Sequence, residues 1–186
     1  MNTNPSISVT IKNLNLIMPK DSAPPAVGLA PAFSGNVERT IDIRQPPRMI
    51  KLSETGGQLP DDATGHTMVL LSDFGLIFDA REPTMADNWG AANSIAEATA
   101  LPGNDWRLPQ REELQLLIAA DRFEPAINTH YFPHTPTNDW YWTATRRASS
   151  PAGYAWCVLF GGGNVNDNHQ GYSGFVRACR RVSPGQ

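Results

Sequence analysis

A tryptophan–arginine segment that runs directly into an amphipathic stretch places the strongest constraint on the fold of this sequence. The segment spans 104–109 and ends at Pro109. Proline fixes φ at about −65° and lacks an N–H, so Pro109 suits the first turn of a helix, where that N–H would have no partner. The residues after it carry an apolar stripe at helical spacing, namely Leu114, Leu117 and Ile118. The pattern predicts a helix over 110–118 that packs on a core.

Trp106 and Arg107 lie immediately before this predicted helix. A large aromatic ring beside a guanidinium is either a structural clamp or the floor of a site. The clamp is favoured, because a tryptophan buries a large area and an arginine can donate to several carbonyls at once. We therefore place the segment in the scaffold, as a joint between two helices that is held against the terminal strands. The residues given a scaffold role are Trp89, Trp106, Arg107, Pro109, Trp142 and Arg177.

The composition limits the classes of protein to which the chain can belong. Its 186 residues suit one large domain, or one domain with an extension. Charged residues make up 18%, beside 15 Gly and 16 Pro, which favours short elements and many loops. A formal net charge of −3 predicts no nucleic-acid partner. We find no secretory signal and no run long enough to span a membrane, so we expect synthesis in the cytoplasm, with delivery to a virion or cell surface left open.

Metal and thiol chemistry are not expected. Cys157 and Cys179 form no Cys-x-x-Cys pair, whereas structural zinc needs about four ligands at short spacings. The two cysteines fit either buried free thiols or one disulfide between neighbouring strands. Oxygen ligands for calcium could come from Asn166, Asp167 and Asn168, but a turn rich in Gly and Asn explains these residues equally well. We assign no metal, no cofactor and no catalytic residue.

Residues 1–47 are predicted to form an arm that precedes the main domain at 48–186. Alternating apolar residues predict strands within 6–18 and 37–43, and the Pro-rich segment 21–31 between them is typical of an extended linker. Unpaired strands in such an arm could be completed by a second copy of the chain, which would make it an oligomerisation element. Packing of the arm on its own domain is the equally weighted alternative.

The main domain is predicted to contain strands, then two helices, then strands, which is an α+β order. A hairpin or close backbone approach is expected at Gly75. The first helix is expected over Thr84–Ala100, capped by Thr84 or Asp87, with a face of small alanines that can lie close to a sheet. After the second helix, we expect strands at 139–145, 154–160 and 175–182, separated by polar loops at 146–153 and 164–174.

Six short motifs occur along the domain in a definite order. They are Leu52–Gly57, Val69–Phe78, Trp89-x-x-Ala92, Asp105–Pro109 with Glu113-Leu114, Tyr141–Thr145 and Val176–Arg180. The ordered set resembles the bacterial and phage domain family DUF1566, the Lcl C-terminal-like domain. That resemblance implies a C-type lectin-like fold, in which two helices pack on small, twisted antiparallel sheets, with an irregular ligand-facing surface near the last strands.

The chain departs from this family at one pair of positions. Members often carry a cysteine in the first helix and another in the final strand, at the positions of Ile95 and Ala178 here. Both are apolar in this chain, so that cross-link is expected to be absent. Cys179 follows Ala178 directly and should face the other way, because side chains alternate along a strand.

The leading functional prediction is a non-enzymatic module that binds a protein or glycan ligand. Asn, His and Ser adapt their hydrogen bonding, while Tyr and Trp supply rigid contact area. A polar hairpin loop without a binding role is the plain alternative. The candidate ligand-binding residues are Arg146, Ser149, Tyr154, Trp156, Asn164, Asn166, Asp167, Asn168, His169 and Tyr172.

The family resemblance suggests further hypotheses. Some similar proteins are variable proteins of diversity-generating retroelements, whose adenine mutagenesis acts on Asn codons, and Asn164, Asn166 and Asn168 fit that picture. A second class is an enzyme like the formylglycine-generating relatives of the fold, which would need a reactive, partly exposed thiol. A third is a structural tip component of a tail or fibre, in which the arm builds the oligomer.

Overall fold

The computed structural model describes residues 9–10, 40–41, 46–148 and 153–182. The chain divides into two compact units, Met1–Gln45 and Pro46–Gln186. In the first unit, β1 (Val9–Thr10) pairs antiparallel with β2 (Thr40–Ile41). The predictions for the rest of the arm, including its linker and its role in oligomerisation, fall outside the described residues.

The second unit has an α+β architecture of two short helices and two sheets, which confirms the predicted class at that level. In chain order its elements are β3 (Met49–Leu52), β4 (Met68–Leu71), β5 (Leu76–Asp79), β6 (Thr84–Ala86), α1 (Trp89–Glu97), α2 (Arg111–Gln115), β7 (Tyr141–Arg146), β8 (Tyr154–Leu159), β9 (Asn164–His169), β10 (Gly174–Val176) and β11 (Cys179–Arg181). None of the helices in the described part of the chain is long and apolar enough to cross a membrane.

The two sheets differ in their strand pairing. The four-stranded sheet, in the order β11-β5-β4-β3, is antiparallel throughout. The five-stranded sheet has the order β6-β10-β7-β8-β9, and its β10–β7 contact is parallel. The expectation of purely antiparallel sheets is therefore wrong at this one contact. Gly75 has a φ of 59° in the turn between β4 and β5, as predicted for a hairpin at that position.

Two hydrophobic clusters form the core, one on each side of the five-stranded sheet. Alternation along β8 sends Ala155 and Cys157 into one cluster and Val158 into the other. The same alternation separates Ala178 from Cys179, as predicted. Buried residues of β8 thus lie on both of its faces, which explains why that strand is almost continuously apolar.

The first helix is shorter than predicted, because its expected first turn is a strand. Residues 84–86 pair with β10, with Met85 opposite Phe175. The helix begins only after Asn88, whose side chain accepts a hydrogen bond from the Ala91 amide at 2.9 Å. Thr84 and Asp87 are therefore not the cap. The small face was correctly placed, since Ala92 and Ala96 are fully buried.

The second helix is also shorter than predicted. Gln110 is its N-cap, so Pro109 precedes the helix instead of occupying its first turn. The α-helix ends at Gln115, and the chain then tightens into bonds between residues three apart, such as Leu117 N to Leu114 O at 3.1 Å. Leu114 and Leu117 remain buried, because this tighter turn still directs them to one side.

The predicted last strand is two strands that belong to different sheets. β10 lies in the five-stranded sheet and β11 in the four-stranded sheet. Arg177, between them, is 1% exposed, and it donates to the Asp79 carbonyl at 2.6 Å and to Thr135 Oγ1 at 3.1 Å. Its guanidinium also lies 5.0 Å from the ring centre of Phe132. This buried contact holds the chain where it passes from one sheet to the other.

The Trp106–Arg107 segment is fastened to β11. The Arg107 amide donates to the Cys179 carbonyl at 2.9 Å, and the Cys179 amide donates back at 2.8 Å. The Arg107 guanidinium binds both carboxylate oxygens of Glu113, at 2.7 and 2.8 Å. Trp106 is 5% exposed, and its Nε1 donates to the Leu101 carbonyl at 3.2 Å. The segment therefore joins the connection between the helices, α2 and the last strand.

A buried histidine fastens two loops of the domain. His66 is 9% exposed, and its Nε2 lies 2.7 Å from the Tyr131 carbonyl, so Nε2 carries the proton. Its Nδ1 is buried without a hydrogen-bond partner among the described residues. Burial lowers the pKa of His66 below its ordinary 6.5, and the charge of Lys51 acts in the same direction. A neutral His66 is therefore part of the folded state.

His66 is expected to make the domain less stable as the pH falls below about 6.5. The unfolded chain takes up this proton at a higher pH than the folded chain, so stability rises with pH in that window. The unfolding free energies of the wild type and His66→Gln, measured at pH 5 and pH 7.5, should therefore differ less at pH 5. His134→Gln, at an exposed histidine, is the control. A difference in unfolding free energy between the wild type and His66→Gln that is the same at both pH values would contradict a neutral, buried His66.

Candidate functional site

Most of the predicted ligand-binding residues lie on β8 and β9, which form one end of the five-stranded sheet. The two strands pair antiparallel, with Tyr154 opposite His169 and Trp156 opposite Asp167. The stretch 164–169 is thus a regular strand, and the prediction of a loose polar loop there is wrong. Gly163, with a φ of 72°, makes the tight turn that returns the chain beside β8. Val165 packs on the core and fixes the register.

Strand alternation divides the predicted residues between two faces of the sheet. Asp167 and His169 share a face with their partners Trp156 and Tyr154. Asn164, Asn166 and Asn168 lie on the opposite face. The sequence analysis placed both groups in one predicted site. In the structure, only Asp167 and His169 lie on the same face as Tyr154 and Trp156. We call Tyr154, Trp156, Asp167, His169 and Tyr172 the aromatic face.

Three aromatic rings pack edge to face on the aromatic face. The ring centres of Tyr154 and His169 are 5.4 Å apart, and those of His169 and Tyr172 are 6.1 Å apart. Tyr154 and Tyr172 are 37% and 60% exposed. Exposed rings held by neighbouring rings lose little further freedom when a ligand binds. The arrangement suits contact with a flat or ring-shaped group of a ligand.

The position of His169 is set by the backbone around it. The Gly171 amide donates to Nδ1 at 3.1 Å, so in the neutral ring the proton lies on Nε2. Gly153, at a φ of 99°, lies against the other side, where an added Cβ would be 3.1 Å from Nε2. A larger residue at 153 would therefore press on the ring. The imidazole offers one fixed polar group between two exposed tyrosines.

Two arginines complete the aromatic face: Arg147, from the predicted loop 146–153, and Arg111, which the sequence did not indicate. The Arg111 guanidinium lies 4.6 Å from the ring centre of Trp156. Arg147 donates to Asp167 Oδ2 at 2.8 Å. Arg111 reaches the face because α2 packs on β7 and β8, and this docking leaves no mark in the local sequence. The two cations give the surface groups that can bind a carboxylate or hydroxyl of a ligand.

Arg146 and Ser149 are not part of the aromatic face. Arg146 lies opposite Ala155, on the other face of the sheet, and its guanidinium lies 4.9 Å from the ring centre of Trp89. A register shift between Trp142 and Arg146 sets which arginine points each way. Ser149 lies outside the described residues.

A family model described as the Lcl C-terminal domain matches residues 66–180, more than half of the chain. This chain belongs to the Lcl C-terminal domain family. The resemblance read from the six motifs is thereby confirmed. No curated protein matches the chain significantly.

In this Lcl C-terminal domain the candidate calcium ligands do not converge. Asn166 and Asn168 lie on the face opposite Asp167, so the three side chains cannot surround one ion. Within 46–148 and 153–182 there is no cluster of three or more His, Cys, Asp or Glu side chains suited to a metal.

The two thiols of this Lcl C-terminal domain are free and buried. Burial raises the pKa of Cys157 and of Cys179 to about 12. A reactive cysteine has the opposite character, with a lowered pKa and access to solvent. Of the two alternatives that the sequence left open, the structure has the free thiols.

Proposed function

We propose that this Lcl C-terminal domain is a non-enzymatic module that binds a protein or glycan ligand on its aromatic face. The observation that carries the proposal is the set of exposed, mutually packed rings of Tyr154, His169 and Tyr172. Rigid aromatic contact area beside a few oriented polar groups is the composition of binding surfaces that act without chemistry. The buried thiols, with their raised pKa values, weigh against a cysteine-based enzyme.

We also propose that the domain is a C-type lectin-like fold used for display on a virion or cell surface. Two short helices packed against two small sheets support the fold assignment. Diversification by a retroelement is the finer form of this proposal, and the exposed Asn164 and Asn166 support it. Sequencing of the gene's surroundings tests it. Without a near-copy of the 3′ segment beside a reverse transcriptase gene, the retroelement origin is wrong.

Alanine substitution of His169 or Tyr172 is expected to weaken ligand binding by at least about tenfold, because each removes a central aromatic contact. The melting temperature should change little, since both side chains are exposed. The full-length protein is first screened on glycan and protein arrays, and affinities for the best ligand are then measured for each variant.

Phe123→Ala is the matched control for this experiment. Phe123 is an aromatic residue that is 74% exposed, and it lies in the connection after α2. Its loss should leave affinity unchanged. Equal weakening by Phe123→Ala, or wild-type affinity in both His169→Ala and Tyr172→Ala, would move the site away from the aromatic face.

A further inference from the structure

Backbone amides on the outer edge of β9 donate hydrogen bonds to side chains of the same strand. In the described domain, β9 is the last strand of its sheet and has β8 as its one neighbour. The Gln170 amide donates to the Gly153 carbonyl at 2.5 Å, one position beyond the Tyr154–His169 pair. Hydrogen-bonded and non-bonded pairs alternate in an antiparallel ladder. The N–H and C=O groups of Val165, Asp167 and His169 therefore point away from β8. The His169 carbonyl already accepts a hydrogen bond from the Tyr172 amide at 3.0 Å, so the carbonyls of Val165 and Asp167 remain as outward acceptors.

Asparagine side chains occupy two of these outward amides. The Asp167 N–H donates to Asn166 Oδ1 at 2.9 Å, and the His169 N–H donates to Asn168 Oδ1 at 2.9 Å. In each case the acceptor belongs to the preceding residue. A strand edge with free N–H and C=O groups is a template for pairing with another strand. The two asparagines occupy two of the three outward donors, those of Asp167 and His169.

We propose that Asn166 and Asn168 keep a latent strand-pairing edge closed, and that the partner this edge fits when opened is β9 of a second copy of the chain. An antiparallel strand is self-complementary about a two-fold axis, since each outward N–H meets an outward C=O. If Asn166 lies on that axis, the outward N–H and C=O groups of Asp167 face those of the partner's Val165. The proposal does not depend on the ligand-binding function.

The composition of the strand supports this role. Asparagine is disfavoured in strands, yet it fills three of the six positions of β9. The short side chain of Asn reaches a neighbouring backbone amide, which accounts for two of the three. No such contact is seen for the Asn164 side chain within the described domain. Asn164 is therefore the matched control.

Hydrogen exchange tests the amide contacts directly. In Asn166→Ala the Asp167 amide should exchange about two- to tenfold faster than in the wild type, the loss expected for one hydrogen bond. In Asn168→Ala the same change should appear at the His169 amide. Asn164→Ala should leave both amides at their wild-type rates. Unchanged exchange in the two test variants would overturn the proposal.

The association state tests the second half of the proposal. The full chain carrying Asn166→Ala and Asn168→Ala should show a molar mass that rises from the wild-type value toward twice that value between micromolar and millimolar concentration. Light scattering of the wild type and of Asn164→Ala at the same concentrations gives the reference. Adding Asp167→Pro should restore the wild-type mass, because proline lacks the outward N–H and is tolerated on an edge strand.

Two results would overturn the self-pairing edge. One is a wild-type mass for the double variant at every concentration, with circular dichroism showing that it is folded. The other is a raised mass that Asp167→Pro does not reverse, which would place the contact elsewhere. If the double variant does not fold, the exchange rates of the single variants decide the proposal.

Discussion

Replacing Trp106 with alanine is expected to lower the free energy of unfolding by about 3–5 kcal/mol, the range for a large aromatic residue lost from a core. Trp106 is 5% exposed and belongs to the hydrophobic cluster that also contains Trp142 and Ala92. The substitution removes the ring, leaves a cavity that the surrounding sheet cannot fill, and frees the Leu101 carbonyl from its bond to Nε1. Urea denaturation followed by circular dichroism measures the loss.

Tyr172→Ala is the control for Trp106→Ala, since it removes a ring from the surface. Tyr172 is 60% exposed, so its loss should change the unfolding free energy by less than about 0.5 kcal/mol. The two variants are thus expected to separate stability from binding. A Trp106→Ala protein with wild-type stability and no ligand binding would reverse this division and return the Trp106–Arg107 segment to the binding site.

The second large effect is expected at Glu113, whose replacement by alanine should cost about 2–3 kcal/mol. Its side chain is 9% exposed, and it accepts hydrogen bonds from the Arg107 guanidinium and from the Gln110 amide at 2.8 Å. Removing one partner of a fully buried pair costs about 3–5 kcal/mol. The loss expected for Glu113→Ala, about 2–3 kcal/mol, lies below that range because the Arg107 side chain is 33% exposed, so that water solvates part of its charge after the carboxylate is removed.

Glu112→Ala is the matched control, because it changes the neighbouring carboxylate in the same turn of α2. Glu112 is 62% exposed, so its loss should stay within about 0.5 kcal/mol of the wild type. A double-mutant cycle with Arg107→Ala then isolates the pair itself. Equal losses from Glu112→Ala and Glu113→Ala would show that helix capping and charge, instead of the buried pair, dominate.

The same carboxylate predicts a second pH dependence. Burial raises the pKa of Glu113, but the hydrogen bonds from Arg107 and the Gln110 amide outweigh it, so the pKa lies below the ordinary 4.5. The stabilisation is therefore complete above pH 4.5 and is lost as the pH falls through the lower pKa of the folded state. Unfolding of Glu113→Ala between pH 3 and pH 6 should show a weaker dependence than the wild type.

The sequence predicted those features of the fold that depend on local chemistry. The buried face of α1, the hairpin at Gly75 and the alternation that separates Ala178 from Cys179 all follow from side-chain spacing. The start of α1 did not follow, because 84–86 is drawn into a ladder with β10, about ninety residues further along the chain. A contact between such distant segments overrides helical propensity without leaving a local signal.

The sequence predicted which segment contains the candidate site, but it did not predict which side chains of that segment share a face. The many polar residues at 164–169 marked the right segment but suggested a loop. The segment is a strand because it pairs with β8, and local composition does not show that pairing. Once the segment is a strand, alternation decides which residues act together. The contribution of Arg111 and Arg147 depends on the docking of α2 and on the irregularity in β7, which only the folded chain shows.

The passage of residues 174–181 from one sheet into the other has a consequence for how this protein is made. That segment supplies β10, which lies between β6 and β7, and also β11, the edge strand beside β5. It leaves the ribosome after every other element of the domain, so neither sheet can be completed while the chain is still being elongated through it. The apolar strands made earlier must wait with their partner surfaces open. Chaperone protection of these open surfaces is therefore expected until residues 174–181 emerge.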